Sequence, residues 1–190
     1  MQKIMFNDRY HHTNAVIEER KTRATQIMAG IDFPVNMVMG RVLPDKEGKI
    51  YAVANGENII VKLRYKVGEV VAVAQCYNDV VREFTDLAFV PGSTNKMFVR
   101  ADLMPHQIRI IGIRCERLRD ISDEECIKEG VYAGSQALEY PYYFIDTKQF
   151  LICDYKSPRE AFAALIDKVS GRGTWDRNPW VVVYEFELVK

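Results

Sequence analysis

The segment that most constrains the fold is 107–119, QIRIIGIRCERLR, which has the apolar pattern of one long β-strand. Ile108 and Ile110 share one face, and from Ile111 onward the apolar residues occupy the alternate positions. This shift beside Gly112 predicts a β-bulge, because one extra residue moves every following side chain to the other face. Small barrels bend their strands in this way, so the segment indicates a curved sheet.

A short helix is predicted directly after this strand. Ser122 and Glu125 occupy the two positions of a capping box, and Gly130 supplies the left-handed residue that often ends a helix. A longer amphipathic helix is predicted to begin after Ser157. Thr13 is the predicted cap of a brief helix near the N-terminus.

Most of the remaining pattern predicts strands. Residues 68–77 are apolar on both faces, which predicts a strand covered on both sides, and residues 180–189 alternate as a final strand. Asn55-Gly56 predicts a tight hairpin turn, and a second hairpin is predicted within 142–155. Many strands, few short helices and no βαβ repeat predict an α+β fold around a small barrel.

Composition limits the classes of function that fit this chain. Its 190 residues predict a single domain over 1–190, and the 26 basic and 26 acidic residues balance. A protein dedicated to duplex nucleic acid usually has a basic excess, so the bulk charge gives duplex binding no support. The four cysteines lack paired metal-ligand spacing, and we expect neither a metal nor a cofactor. With no apolar run of membrane or signal-peptide length, we expect a cytoplasmic protein without membrane contact.

Four blocks of the sequence together resemble a known family. They are the early ERKTRAT, the strand segment KVGEVVAVAQCY, the long strand with its following helix, and the terminal NPWVVVYEFELV. In this order they resemble the ASCH domain of the PUA-like β-barrel superfamily, and most of all its longer members encoded in phage and prophage genomes. The resemblance implies a PUA-like barrel with short helices around it. Residues 31–62 and 132–156 would then be variable hairpin insertions.

The family resemblance also implies a cleft for RNA or for modified nucleosides. One branch of the family is an amidohydrolase that removes the acetyl group from N4-acetylcytidine, using a lysine base, a threonine nucleophile and a glutamate. Lys21 matches the lysine of its G-x-K-x-x-T-x-R signature, and Glu129 matches the glutamate. The glycine, threonine and arginine of that signature are replaced here by Glu19, Ala24 and Gln26.

The replacement of the signature threonine by Ala24 favours binding over catalysis. Ala24 carries neither oxygen nor sulfur, so it cannot be a nucleophile. Thr22 shares the face of Ala24 on an extended strand, whereas Thr25 points the other way, so Thr22 is the expected substitute. Its oxygen would lie roughly 7 Å along the strand from the lost one. An enzyme would therefore use Lys21, Thr22 and Glu129, but we expect no efficient catalysis.

Six residues are candidate ligand contacts, and several of them also have a purely structural interpretation. Lys21 could bind a phosphate or a base carbonyl, and Gln75 could recognise a base edge or be a hydrogen-bonded core amide. Trp180 could stack on a base or cap the core. Arg109 belongs to an arginine-rich strand that could contact phosphates or pair with neighbouring acids. The complete candidate set is Lys21, Arg23, Gln75, Arg109, Glu129 and Trp180.

The expected function is that of an ASCH domain that binds RNA or a modified nucleotide in a cleft near Lys21 and Glu129. Two alternatives remain open from the sequence. One is an enzyme, either an amidohydrolase acting on N4-acetylcytidine-like nucleosides or a ribonuclease. The other is a phage-related interaction module, with a vestigial cleft and insertions that bind another protein.

Overall fold

The fold is described from a computed structural model, and its strands and helices have the following bounds. The structure describes residues 1–28, 43–44, 50–54, 57–61, 63–80, 90–134, 143–145 and 152–190. The strands are β1 Lys3–Ile4, β2 Arg23–Ile27, β3 Leu43–Pro44, β4 Ile50–Ala54, β5 Glu57–Val61, β6 Val70–Val73, β7 Gln107–Arg117, β8 Tyr132–Ala133, β9 Tyr143–Ile145, β10 Ile152–Tyr155 and β11 Trp180–Leu188. The helices are α1 His12–Ile17, α2 Tyr77–Val80, α3 Asp123–Lys128, α4 Pro158–Ser170 and α5 Thr174–Arg177.

The main element of this α+β fold is a mixed five-stranded sheet in the order β1-β6-β7-β11-β2. Strand β1 runs parallel to β6, and the other neighbours are antiparallel. Strand β11 pairs along its whole length with the central strand β7 and lies against β2 on its other side. Strands β1 and β2 form the two edges, and the described strands do not close into a barrel.

The predicted β-bulge in β7 is confirmed. Glu185 pairs with Gly112 and Phe186 pairs with Ile110, so Ile111 is the extra residue and its side chain is half-exposed. A Cβ atom on Gly112 would lie 2.8 Å from Glu185 Oε2. Glycine at this position therefore leaves room for the end of the Glu185 side chain.

The two faces of the sheet contribute to separate hydrophobic cores. Alternate residues of β11 explain the division, since Val182, Tyr184 and Phe186 face one core while Val181 and Val183 face the other. The first core includes Ile4, Phe6, Ala24, Val71, Val73, Ile108 and Ile110. In the second core, the sheet packs against α4 through Phe162, Leu165 and Ile166.

The predicted strand over 68–77 is shorter in the structure, where it spans Val70–Val73. The chain turns into α2 at Tyr77, whose backbone N–H donates to Gly92 O. The cap predicted at Thr13 is wrong, since the Thr13 hydroxyl donates to Asp8 and His11 precedes the helix with a φ of 53°. The local sequence does not reveal that the Thr13 hydroxyl bonds the Asp8 carboxylate rather than a backbone group at the start of the helix.

Both predicted hairpins are present as antiparallel strand pairs. Strands β4 and β5 pair on either side of Asn55-Gly56, and β9 pairs with β10. The turn residues of both hairpins lie outside the described residues, as does much of the predicted insertions 31–62 and 132–156. Among the described helices, none is long and apolar enough to cross a membrane.

Candidate ligand-binding site

The site begins where α1 ends and the chain enters β2. The backbone N–H groups of Arg20 and Lys21 both donate to Ala15 O, at 2.8 and 2.9 Å. Glu19 makes the preceding turn with a φ of 57°, a left-handed conformation that favours glycine. This turn directs the Lys21 side chain inward, and Lys21 is only 3% exposed.

Glu129 reaches the same point from the end of α3. The capping box of Ser122 and Glu125 fixes the start of this six-residue helix, and Glu129 is its C-cap residue. The negative end of the helix dipole disfavours a carboxylate there. Glu129 is nevertheless only 4% exposed, so nearby donors must offset this cost.

Three side chains of consecutive odd-numbered residues supply those donors. Lys21 Nζ donates to Glu129 Oε2 at 2.8 Å and to Glu129 O at 2.5 Å. Arg23 Nε donates to Glu129 Oε1 at 3.2 Å, and the Thr25 hydroxyl donates to the same oxygen. The carboxylate is therefore held by two cations and one hydroxyl.

Burial and charge act in opposite directions on this ion pair. Burial alone would raise the pKa of Glu129, but Lys21, Thr25 and Arg23 together hold that pKa below its ordinary value. Burial lowers the pKa of Lys21, while the attraction of Glu129 opposes that change. The Glu129 carboxylate is consequently a weak base.

Arg23 connects this pair to a larger charged network. Its guanidinium is 1% exposed, with Nη1 2.5 Å from Glu125 Oε1 and Nη2 bonded to Glu116. Arg114 bonds the same two glutamates and also Glu185. The network fixes α3 against β2, β7 and β11.

A cavity of about 350 Å³ lies beside the Lys21–Glu129 pair. Its polar wall consists of His12, Lys21, Thr25, Gln26 and Glu129. Its apolar wall comes largely from α4, with Phe162, Leu165, Ile166 and Val169. Residues 4–7, which include the end of β1, and residues 24–27 of β2 also line it, so both edges of the sheet face one cavity.

Backbone groups of β2 face this cavity. Phe186 N–H donates to Thr22 O and Met28 N–H donates to Trp180 O, which sets the alternation of the antiparallel pair. The N–H and C=O groups of Thr25 and Ile27 therefore face away from β11, toward the side of β2 that no other described strand covers. The side-chain amide of Gln26 makes no hydrogen bond to any described residue.

His12 adds a neutral imidazole to the polar wall. Burial, together with the nearby charges of Lys21 and Lys96, lowers the pKa of His12 from 6.5 to about 2. A Cβ atom on Gly130 would lie 3.3 Å from the His12 ring, and Gly130 has a φ of 104°. Glycine thus serves both the end of α3 and the packing of the imidazole.

The predicted pair of Lys21 and Glu129 comes together at the cavity, with Arg23 buried behind it. The hydroxyl that contacts Glu129 belongs to Thr25, whereas the sequence predicted Thr22 as the substitute nucleophile of an enzyme. Glu129 approaches the face of β2 that carries Arg23 and Thr25. Arg23 and Thr25 lie two and four positions after Lys21, and this even spacing is the sequence signal that would have identified Thr25.

The other three candidate contacts lie elsewhere. Gln75 lines a second, mainly polar cavity of about 410 Å³ beside α1 and α2. Arg109 is exposed and pairs with Glu187 at 2.8 Å. Trp180 is a buried residue at the start of β11, and its ring lies 4.5 Å from the Arg117 guanidinium carbon. None of the three is among the described residues that line the Lys21 cavity.

Comparisons with known proteins do not assign a family to this chain. No protein-family model matches it, and neither a curated protein nor a solved structure matches at the threshold applied. Within the described ranges, no group of three or more His, Cys, Asp or Glu side chains could hold a metal ion.

Proposed function

We propose that this protein binds RNA or a modified nucleotide by inserting one base into the Lys21 cavity, without efficient catalysis. One observation carries the proposal: a buried, hydrogen-bonded ion pair forms the back of a cavity of about 350 Å³ whose wall is mainly apolar. Cavities of this size, with a few converging polar groups, are typical of small-molecule sites. A planar base has apolar faces and polar edges, which suit the two kinds of wall.

The charges of the cavity favour a neutral group at its back. Lys21 is already neutralised by Glu129, so it offers little attraction to a phosphate. The Gln26 amide and the outward backbone groups of Thr25 and Ile27 can instead form hydrogen bonds with a base edge. Phe162 and Leu165 of the apolar wall can pack against its ring.

The PUA-like barrel of an ASCH domain is part of the same proposal. Both edge strands line one cavity, which requires a strongly curled sheet, as expected of an incompletely closed barrel. Glu19 adopts the left-handed conformation that the glycine of the resembled signature would favour. Glu129 follows the helix after the long strand, as the glutamate of that family does.

Amide hydrolysis is a second candidate, favoured by the contact of Thr25 with Glu129. In that reaction the Thr25 hydroxyl would attack an amide carbonyl while Glu129 takes its proton. The C–N bond would then break, the amine would leave with that proton, and water would hydrolyse the acyl-threonine ester to restore the hydroxyl. The lowered pKa of Glu129 makes this proton transfer unfavourable, because a weak carboxylate base accepts a proton poorly near neutral pH. We therefore place binding before catalysis.

Calorimetric titration with cytidine, uridine, N4-acetylcytidine and a short single-stranded RNA tests the proposal. We expect at least one of them to bind, and we expect Val169→Trp at the cavity wall to weaken it by about tenfold or more. Ile111→Trp is the matched control, because Ile111 is similarly exposed but lies on the β7 bulge. Failure of the folded protein to bind any of these ligands would overturn the proposal.

Chromatography of the N4-acetylcytidine sample separates binding from catalysis. We expect intact N4-acetylcytidine after prolonged incubation. Release of cytidine that disappears in Thr25→Val would instead establish the hydrolase.

A further inference from the structure

The second cavity, of about 410 Å³ beside α1 and α2, is lined by polar residues. Thr13 is buried and Asp8 and Gln75 are half-buried, so these three residues form the inner part of the cavity. Its outer part includes the exposed residues Asn14, Asn78 and Asp79. This cavity shares no described lining residue with the Lys21 cavity, so it is a separate candidate site.

The carboxylate in the inner part is already neutralised. Lys96 Nζ pairs with Asp8 Oδ2 at 2.8 Å, and it also donates to Phe6 O and to the Thr13 hydroxyl. The Thr13 hydroxyl in turn donates to Asp8 Oδ1. Because an ammonium group has three N–H donors, the donors of Lys96 are all engaged. Lys96 therefore has no donor left for a second carboxylate at the cavity.

Two acceptors of the cavity remain without a donor. Asp79 forms no ion pair with any residue in the described ranges, so its negative charge is not compensated there. Gln75 Oε1 is buried and accepts no hydrogen bond from the described part of the chain. A buried acceptor without a donor is costly, and a native structure usually supplies a partner for it. A ligand with both N–H donors and a positive charge would satisfy both residues.

We propose that this polar cavity binds a small primary amine as its ammonium ion. The three N–H donors of the ammonium group would be shared by the Asp79 carboxylate, Gln75 Oε1 and the side-chain oxygen of Asn14 or Asn78. The terminal torsion of a glutamine is soft, so rotation of the Gln75 amide can turn Oε1 toward the ligand. The inference is independent of the proposed function.

The lining favours an organic cation over a metal ion. Of the carboxylates at the cavity, Asp8 is paired with Lys96, and within the described ranges no group of three or more His, Cys, Asp or Glu side chains could hold a metal ion. The volume of about 410 Å³ also exceeds the need of a single ion and is typical of small-molecule sites.

Calorimetric titration of the full chain with 1,4-diaminobutane and 1,4-butanediol at low salt tests the site. The two probes have similar length, but only the diamine carries ammonium groups. We expect the diamine to bind about tenfold or more tightly than the diol, and we expect added salt to reduce this difference. Equal binding of the two probes, or binding of neither, would overturn the proposal.

A blocked tripeptide with a central lysine distinguishes a free amine from a lysine side chain of a partner protein. We expect the tripeptide to bind more weakly than 1,4-diaminobutane, because its backbone does not fit inside a cavity of about 410 Å³. Tighter binding of the tripeptide would overturn the assignment to a small amine.

Asp79→Asn removes the uncompensated charge and should weaken binding of the diamine by about tenfold or more. Asp176→Asn is the matched control, because Asp176 is also an exposed residue in the first turn of a four-residue helix but lines neither cavity. We expect this control to bind the diamine as the wild-type protein does. An equal loss in both variants would show only a bulk charge effect and would overturn the site.

Gln75→Met tests the unpaired acceptor through thermal unfolding. We expect the melting temperature of the free variant to equal or exceed that of the wild-type protein, because the variant lacks the unsatisfied oxygen. The rise in melting temperature that 1,4-diaminobutane causes in the wild-type protein should be largely lost. A lower melting temperature together with an unchanged rise would show a purely structural amide and would overturn the assignment of Gln75 to the site.

Discussion

At the scale of single residues, Glu129 is a position whose charge requires strong stabilisation by its neighbours. It is a buried carboxylate at the C-terminal end of a helix, where both desolvation and the helix dipole disfavour its charge. Lys21, Arg23 and Thr25 offset these costs together. The stability of the site should therefore depend more on Glu129 than on any one of its partners.

We expect Glu129→Gln to lower the free energy of unfolding by about 3–5 kcal/mol, because it leaves Lys21 and Arg23 buried without their shared anion. Lys21→Met should cost less, since Glu129 would keep its bonds to Arg23 and Thr25. Urea denaturation of both variants measures this order. A larger loss for Lys21→Met would contradict it.

The exposed pair of Arg109 and Glu187 supplies the control for this comparison. Its two side chains are 47% and 50% exposed. Glu187→Gln should change the free energy of unfolding by about 1 kcal/mol at most, as is usual for ion pairs in water.

The sequence predicted Lys21 and Glu129 as a pair, but it did not predict the role of Arg23. Residue type alone suggests a ligand contact for an arginine beside a candidate site. In the structure the Arg23 guanidinium lies among Glu116, Glu125 and Glu129, which come from more than 90 positions further along the chain. Only the tertiary fold brings these carboxylates together, so no local pattern could reveal them.

At the scale of elements, α3 carries the site although it has only six residues. So short a helix is not stable alone in water, and its tertiary contacts must hold it. Ser122 and Glu125 form the complete capping box that the sequence predicted, and Glu125 also pairs with Arg23. The start of the helix is thus coupled to the same arginine that contacts Glu129 at its end.

We expect Ser122→Ala to lower the free energy of unfolding by about 1 kcal/mol and to speed hydrogen exchange at the Glu129 and Gly130 amides. Ser157→Ala removes the corresponding cap of α4, where Ser157 accepts from the Glu160 N–H. Ser157→Ala should lower the free energy of unfolding by a similar amount without a change in hydrogen exchange at Glu129. Hydrogen exchange of the Ser122→Ala and Ser157→Ala variants can be compared by mass spectrometry. Equal exchange at Glu129 in the two variants would contradict the coupling between the start of α3 and Glu129.

Elements with a local cause were predicted best from the sequence. The bulge at Ile111 and the cap of α3 follow from patterns within a few residues. The end of β6 at Val73 depends on the distant Gly92, to which Tyr77 is bonded. The apolar residues after Val73 extended the predicted strand beyond its observed end, because the sequence does not indicate the contact with Gly92.

At the scale of the whole molecule, the cavity depends on segments that only the fold brings together. Residues near β1, β2 and α4 enclose it, and these segments are far apart in the chain. The sequence predicted a curved sheet through the bulge, but it could not indicate that both edge strands and α4 would line one cavity. Those relations depend on how the two cores pack.

The pH dependence of stability follows from the enclosed position of His12. Its pKa is about 2 in the fold, against 6.5 as the ordinary value, so the unfolded chain binds a proton at a higher pH than the folded chain. The stability from neutral His12 is complete above pH 6.5 and decreases as the pH falls, by at most about 1.4 kcal/mol per pH unit. The lowered pKa of Glu129 further reduces the stability of the fold only below about pH 4.5, which is the ordinary pKa of a glutamate.

Urea denaturation between pH 7.5 and pH 5 isolates the contribution of His12. We expect the free energy of unfolding to fall with pH in the wild-type protein and to fall less steeply in His12→Gln, because glutamine does not bind the proton. Asn14→Gln, on the exposed face of the same helix, is the control and should keep the wild-type slope. An unchanged slope in His12→Gln would contradict a neutral imidazole at this half-buried position beside Lys21 and Lys96.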